Sequence, residues 1–384
     1  VIYLDAAATA PVRREVVEAM WPYLTTEFGN PSSVHAVGES AASALEDARR
    51  RIARVLEVRA TGVVFTSGGT EADNLALKGL ALANPRGRHL VVSAIEHEAV
   101  LGSAGYLQRL HDFEVSVVPV DSDGRVDPDA VSRVLRPDTT LVSVMHANNE
   151  VGTVQDVREI AERAHAVGAL VHTDAVQSVG QLDARLAELG VDALTFSGHK
   201  LGAPKGTGAL VLRGRLDIEP LVHGGGQERG RRSGTESVAG AVALATALDL
   251  AEAERSVAER TAATGERGVR DAFTSRVLAA APGAVLTGHA VDRLPRHASF
   301  LLPGIDGEAV LLELERRGVL SSSGSACAAG RSDASHVLLA MGFTDETARS
   351  AVRFTWGFGA SPAELTAAAS ALGDAVAAVR SIRA

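Results

Sequence analysis

Asp192-Ala193-Leu194-Thr195-Phe196-Ser197-Gly198-His199-Lys200 is a short apolar run that passes without a break into a turn of small polar residues ending in a lysine. Such a run suits a strand buried on both faces of a sheet. Working outward, the same pattern recurs at Val63 to Thr66, Leu90 to Ser93, Val115 to Val120, Leu141 to Met145, Leu170 to Thr173 and Gly208 to Leu212. Helical patterns such as Glu71 to Leu82 and Val157 to Val167 lie between them. Strands alternating with helices predict an α/β fold whose large domain is a mostly parallel seven-stranded sheet sandwiched by helices. Beyond the glycine- and arginine-rich loop Pro220 to Ser237, the alanine-rich stretch from Val238 to about Ala280 reads as one long helix leaving that domain. The remainder alternates again, with strands near Ala298 to Leu302, Val319 to Ser322 and Arg349 to Phe354. The expected division is therefore a large domain over 15–255 and a small C-terminal α+β domain over 256–384 that also takes in 1–14.

Ligands of open α/β sheets gather outside the carboxyl ends of the strands. Four polar segments follow predicted strands there: Ser67 to Thr70, His146 to Glu150, Asp174 to Gln177 and Ser197 to Lys200. A carboxylate at the inner end of a strand is costly to bury unless a cation meets it, and a lysine amine close by can form a Schiff base. One amine, one carboxylate and a set of small donors are what a protein needs to hold pyridoxal 5'-phosphate. Asp174 would pair with the pyridine nitrogen, and Gln177 would donate to the ring's phenolate oxygen. His97 follows a strand and could stack on a ring and exchange protons, or simply cap a helix. Gly69 and Thr70 form a strand-to-helix turn able to face an anion, although it equally suits a structural turn; it matches neither a P-loop nor GxGxxG. Arg353 has the planar fork suited to a substrate carboxylate.

The 384 residues are 46% hydrophobic and carry a formal charge of −9, which argues against broad attraction to nucleic acid or an anionic membrane. No direct nucleic-acid binding is expected. No apolar run approaches the ~20 residues that cross a bilayer, and no signal core opens the sequence, so a cytoplasmic protein without a membrane segment is expected. No metal site is expected. The single cysteine, Cys327, cannot form an internal disulfide. It sits in Ser323-Gly324-Ser325-Ala326-Cys327-Ala328-Ala329-Gly330, where small neighbours give the segment little to bury, so an accessible nucleophilic thiol is expected instead of an inert core residue.

Taken together, Tyr3-Leu4-Asp5, Phe28 to Ser33, Ser67 to Asn74, Asn148 to Gly152, Asp174 to Gly180, Ser197 to Lys200 with Pro204-Lys205-Gly206, and Ser323 to Cys327 resemble the cysteine desulfurases. These are fold-type I pyridoxal-phosphate enzymes of the class V aminotransferase branch, and the Ser-Ser-Gly-Ser-Ala-Cys form is similar to the group with a long cysteine loop. The resemblance implies that Lys200 carries the cofactor, Asp174 and Gln177 hold its ring, and His97 stacks on it. It implies phosphate binding by Thr70, Ser197, His199 and, from the other subunit of a homodimer, Thr235. Asn149 and Arg353 would place L-cysteine, and Cys327 would take its sulfur as a persulfide for an acceptor protein, leaving L-alanine. Ala10 and Phe358 depart from the usual pattern. The rival expectations are an aminotransferase or selenocysteine lyase of the same fold, in which Cys327 is incidental, and a non-catalytic scaffold in a sulfur-trafficking complex.

Overall fold

A computed structural model of the chain describes residues 1–84, 86–260, 265–324, 334–357 and 359–383. Its centre is a seven-stranded sheet ordered Val63–Thr66, Gly208–Leu212, Ala193–Ser197, Leu170–Asp174, Thr139–Ser143, His89–Ser93 and Glu114–Val118. Gly208–Leu212 runs antiparallel to both of its neighbours, and the remaining pairings are parallel. Two reversals cancel, so Val63–Thr66 points the same way as the parallel strands. Its following turn therefore reaches the same edge as the turns after Asp174 and Ser197.

The inner strands are buried along their whole length because helices cover both faces. On one face Ala36–Val55 packs against Val238–Arg260, where alanines at 41, 48, 241 and 245 permit close approach and Arg51 pairs with Asp249 at 2.7 Å. On the other, the helical run Gly69–Ala83 contributes Ala72, Leu75, Leu77 and Leu80 to a second apolar cluster. Its middle turn, Leu75–Gly79, widens to a π-helix.

A further cluster joins Leu4 to Phe273, Phe300, Phe354, Leu372 and Val376. Its sheet is His297–Leu301 between Ala351–Thr355 and Val285–Leu286, all antiparallel. The strand Ile2–Tyr3 pairs in parallel with Val319–Leu320, and Asp5 bridges to Thr355, so the first residues are built into this C-terminal unit. The expected single helix from Val238 to Ala280 is instead two, Val238–Arg260 and Glu266–Ala280. Gly265 at the N-cap of the second helix marks its start, a residue whose backbone freedom favours helix ends over interiors.

Candidate active site

A cavity of about 570 Å³ opens at the carboxyl edge of the sheet. It is lined by Gly69, Thr70, His97, Asn149, Asp174, Gln177, Ser197, His199, Lys200 and Arg353, so residues far apart in sequence meet around one space. Thr235 is not among its lining residues. It stands in a separate recess of about 200 Å³ with Ser67, Gly206 and Arg232. Cys327 and Phe358 lie outside the described residues. Gly324, three residues before Cys327, does line the main cavity.

The lysine comes from a single 3-10 turn, Gly198–Lys200, at the end of its strand. The turn is held because Gly198 N–H donates to Thr207 O at 2.9 Å, and a Cβ at Gly198 would meet Thr207 Oγ1 at 2.1 Å. Lys200 Nζ donates to the carbonyls of Ala7 and, at 2.7 Å, Ala8. Gln177 Nε2 also donates to Ala7 O, at 3.1 Å. The N-terminal segment is thus part of the lysine's surroundings.

Asp174 ends the strand Leu170–Asp174 and is 6% exposed. Its Oδ1 accepts from Val176 N–H at 2.9 Å. Burial raises its pKa, while that bond, the His97 ring and the Lys200 ammonium work in the opposite direction. His97 caps the helix Glu98–His111, its Nδ1 accepting from Ala99 N–H at 3.1 Å, so the ring is both a helix cap and a wall of the cavity. Asn148 shapes the next turn by accepting from Glu150 and Val151 N–H at 2.8 and 3.0 Å, which leaves Asn149 to line the cavity.

At the other end, Gly69 presses against Val176 and Ser197, where a Cβ would lie 2.8 Å from Val176 Cγ2 and 3.4 Å from Ser197 Cβ. Gly68 occupies the helix N-cap position and Thr70 lies inside the helix. Glu71 instead closes the turn by accepting from Ser67 N–H at 2.9 Å. His199 is lowered to about 4 by burial and by Lys200 and Lys205, so it faces the cavity as a neutral ring, with Nδ1 3.2 Å from Thr9 Oγ1.

These residues fit pyridoxal phosphate on the structure's own terms. Ser197 Oγ is buried, lines the cavity and has no hydrogen-bond partner, a donor waiting for an acceptor. Asp174 is a buried carboxylate whose charge is favoured by a cation at the cavity. An anion beside Ser197, Gly69 and Lys205 and a cationic ring nitrogen at Asp174 would satisfy both ends.

Arg353 sits mid-strand opposite Ser299 and is only 2% exposed, so it is no surface ion pair. Its Nη1 donates to Asn149 O at 2.9 Å and Gly324 O at 3.3 Å, and its Nη2 pairs with Asp5 at 2.8 Å. Its Nε is buried and unpartnered. Asp5 was visible only as part of a motif, and nothing in a sequence links it to a residue 348 positions away.

The class V aminotransferase profile matches residues 2–365. The chain is 43% identical over 359 residues to the cysteine desulfurase IscS of Dictyoglomus turgidum, covering 93% of this chain and 89% of that protein. Among solved structures it is similar to a NifS-like protein, with a TM-score of 0.90, 36% identity and coverage of 98% of this chain and 99% of that one. It is likewise similar to SspA in complex with cysteine, with a TM-score of 0.80, 32% identity and coverage of 92% and 98%. The fold and site define a fold-type I pyridoxal-phosphate enzyme. The chain belongs to the aminotransferase class V family, within its cysteine desulfurase branch.

Proposed function

We propose that this chain is a pyridoxal-phosphate-dependent cysteine desulfurase that converts L-cysteine to L-alanine, leaves the sulfur on Cys327 as a persulfide and hands it to an acceptor protein. The observation that carries this reading is the meeting of Lys200, Asp174, His97 and Ser197 around one cavity whose rim holds Arg353 and Gly324.

When bound, pyridoxal phosphate supplies an electron-withdrawing ring that takes up the charge developed at the substrate α-carbon. Asp174 and Gln177 would hold that ring, His97 would stack on it, and Gly69, Thr70, Ser197 and His199 would hold the phosphate. Lys200 would carry the cofactor and, with its amine free, would move the α-proton as general base and acid. Arg353 and Asn149 seat the carboxylate of L-cysteine. The Cys327 thiolate attacks the substrate sulfur: the Cβ–S bond breaks, an S–S bond forms, and the Cys327 proton is accounted for on the methyl group of alanine. Gly324 of the cavity lining stands three positions before Cys327 in the sequence.

A homodimer is part of the proposal. In support of it, Thr235 is absent from the main cavity's lining and stands in a recess with Arg232, so its expected phosphate contact would be to a neighbouring chain. Division into units of 15–255 and 256–384 with 1–14, and a cytoplasmic location, complete it. No helix among the described residues is long and apolar enough to cross a membrane.

The test is Cys327→Ala. The variant is expected to keep the visible absorbance of the bound cofactor and to lose sulfide release from L-cysteine in the presence of a thiol reductant. Undiminished release, or a keto acid as the product in place of alanine, would point to a lyase or transaminase in which Cys327 is incidental.

A further inference from the structure

Behind Asp174 lies a second carboxyl that the proposed chemistry does not use. Asp73, on the inner face of the helix Gly69–Asn74, is 1% exposed and lines the same cavity. Two carboxylates in one dry space cannot both ionise without a cation for each. The surroundings treat them unequally.

Asp174 has a backbone N–H donor at 2.9 Å and is favoured as a carboxylate by the His97 ring and the Lys200 ammonium. Asp73 has none of these. The Thr195 hydroxyl bonds its carboxyl, and its Oδ1 has no hydrogen-bond partner. The nearest basic group is His172, whose Nε2 is 3.7 Å away, beyond hydrogen-bonding range. That imidazole is 0% exposed and already held between Ser143 Oγ at 2.9 Å and Thr195 Oγ1 at 3.0 Å. Burial pushes its pKa to about 3, so it is a neutral ring and supplies no counter-charge. The remaining titratable neighbour, Glu96, is itself an acid and can only disfavour a charge on Asp73. Burial first, then the charge of Asp174, then Glu96 all push the Asp73 pKa well up.

We propose that Asp73 is the neutral partner of Asp174: the two buried carboxyls carry one negative charge between them, Asp174 presenting it to the cavity while Asp73 keeps the proton. Asp73 is thus a positioning residue. By staying uncharged it leaves the field at the ring nitrogen to Asp174 alone, and if Asp174 is neutralised it is the group able to ionise in its place. This rests on the assignment of the cavity to pyridoxal phosphate.

The experiment combines infrared spectroscopy with cofactor titration of the full-length chain. At neutral pH the wild-type holoenzyme should show carbonyl absorption from buried protonated carboxyls, one component of which disappears in the isosteric Asp73→Asn and survives in Glu96→Gln. Dissociation constants for pyridoxal phosphate are then measured for Asp73→Asn, Asp174→Asn and the double variant. The double variant should bind the cofactor about tenfold more weakly than the product of the two single-variant effects predicts, because Asp174→Asn alone still retains an acid able to ionise. Absence of any protonated-carboxyl component in the wild type, or its persistence in Asp73→Asn, overturns the proposal without reference to binding. Strict multiplicativity of the two substitutions overturns it as well. A wild-type chain that binds no pyridoxal phosphate would instead overturn the assignment of the cavity, leaving the infrared result to stand on its own.

Discussion

Replacing Glu228 with glutamine should destabilise this chain far more than a typical loop substitution. Glu228 lies in the segment that also carries Thr235, and its side chain and that of Arg49 are each 2% exposed. Its two oxygens accept from Arg49 Nη1 at 2.7 Å and Nη2 at 2.8 Å, and from Phe65 N–H at 3.0 Å. Arg49 in turn donates to Val63 O at 2.7 Å and lies 4.8 Å from the centre of the Phe65 ring. Glu228 and Arg229 are consecutive non-glycine residues at φ of +49° and +60°, a conformation costing ~1–2 kcal/mol each. The bidentate pair is what holds the loop in that shape.

Removing one partner of a buried pair costs ~3–5 kcal/mol because the other is left as an uncompensated buried charge. Glu46 still contacts Arg49 Nε at 2.9 Å, but it is 41% exposed and screened by solvent, so it offsets little. We therefore expect about 3 kcal/mol from urea unfolding of Glu228→Gln, a sizeable part of an ordinary stability of ~5–15 kcal/mol. Arg49→Met should cost a similar amount. The double variant should cost much less than the sum, with a coupling of about 2 kcal/mol or more. If Glu228→Gln costs under ~1 kcal/mol, as an exposed pair would, the pair is not the latch described here.

The remaining predictions concern pH and substrate. Burial raises Glu96 to about 8, against bonds from the Ser93 hydroxyl and Met145 N–H that lower it. The folded chain then holds a proton that the unfolded chain has released, so stability falls as pH rises from about 4.5 to about 8. Glu96→Gln should flatten that limb, gaining ~2 kcal/mol at pH 8 and nothing near pH 4 in thermal or urea unfolding. His146, lowered to about 4 by burial, has the opposite sign. It must be charged in acid, so stability is lost as pH falls below about 6.5, and His146→Asn should reduce that loss by ~1–3 kcal/mol at pH 4. In Arg353→Lys a single ammonium cannot reach the Asn149 and Gly324 carbonyls and Asp5 together, so KM for L-cysteine should rise by about tenfold with a smaller fall in kcat. An unchanged KM would remove Arg353 from the substrate site.

The central sheet was legible because its strands centre on short apolar or β-branched runs, and the site because its polar residues fall at or directly after the ends of those runs. Direction was not: the run Gly208–Leu212 reads the same whichever way it points, and only its pairing shows it reversed. An alanine-rich stretch carries little signal for where one helix stops, hence the unexpected second helix start at Gly265. Nothing in the sequence marks Asp73, since only tertiary packing buries it in the cavity that Asp174 also lines. The partners of Lys200 escaped for a different reason. They are the main-chain carbonyls of Ala7 and Ala8, groups every residue has and no side chain advertises.

Those carbonyls have a consequence for synthesis. Ala7 N–H donates to Thr355 Oγ1 at 2.8 Å, and Ala6 N–H to Thr355 O at 3.0 Å, so the seat of the reactive amine joins segments 348 positions apart in the sequence. A nascent chain stalled on the ribosome before residue 355 can have its central sheet complete and its lysine in place yet lack the strap that fixes Ala7 and Ala8. A cofactor site completed in this way is expected to form only after the strand Ala351–Thr355 has docked.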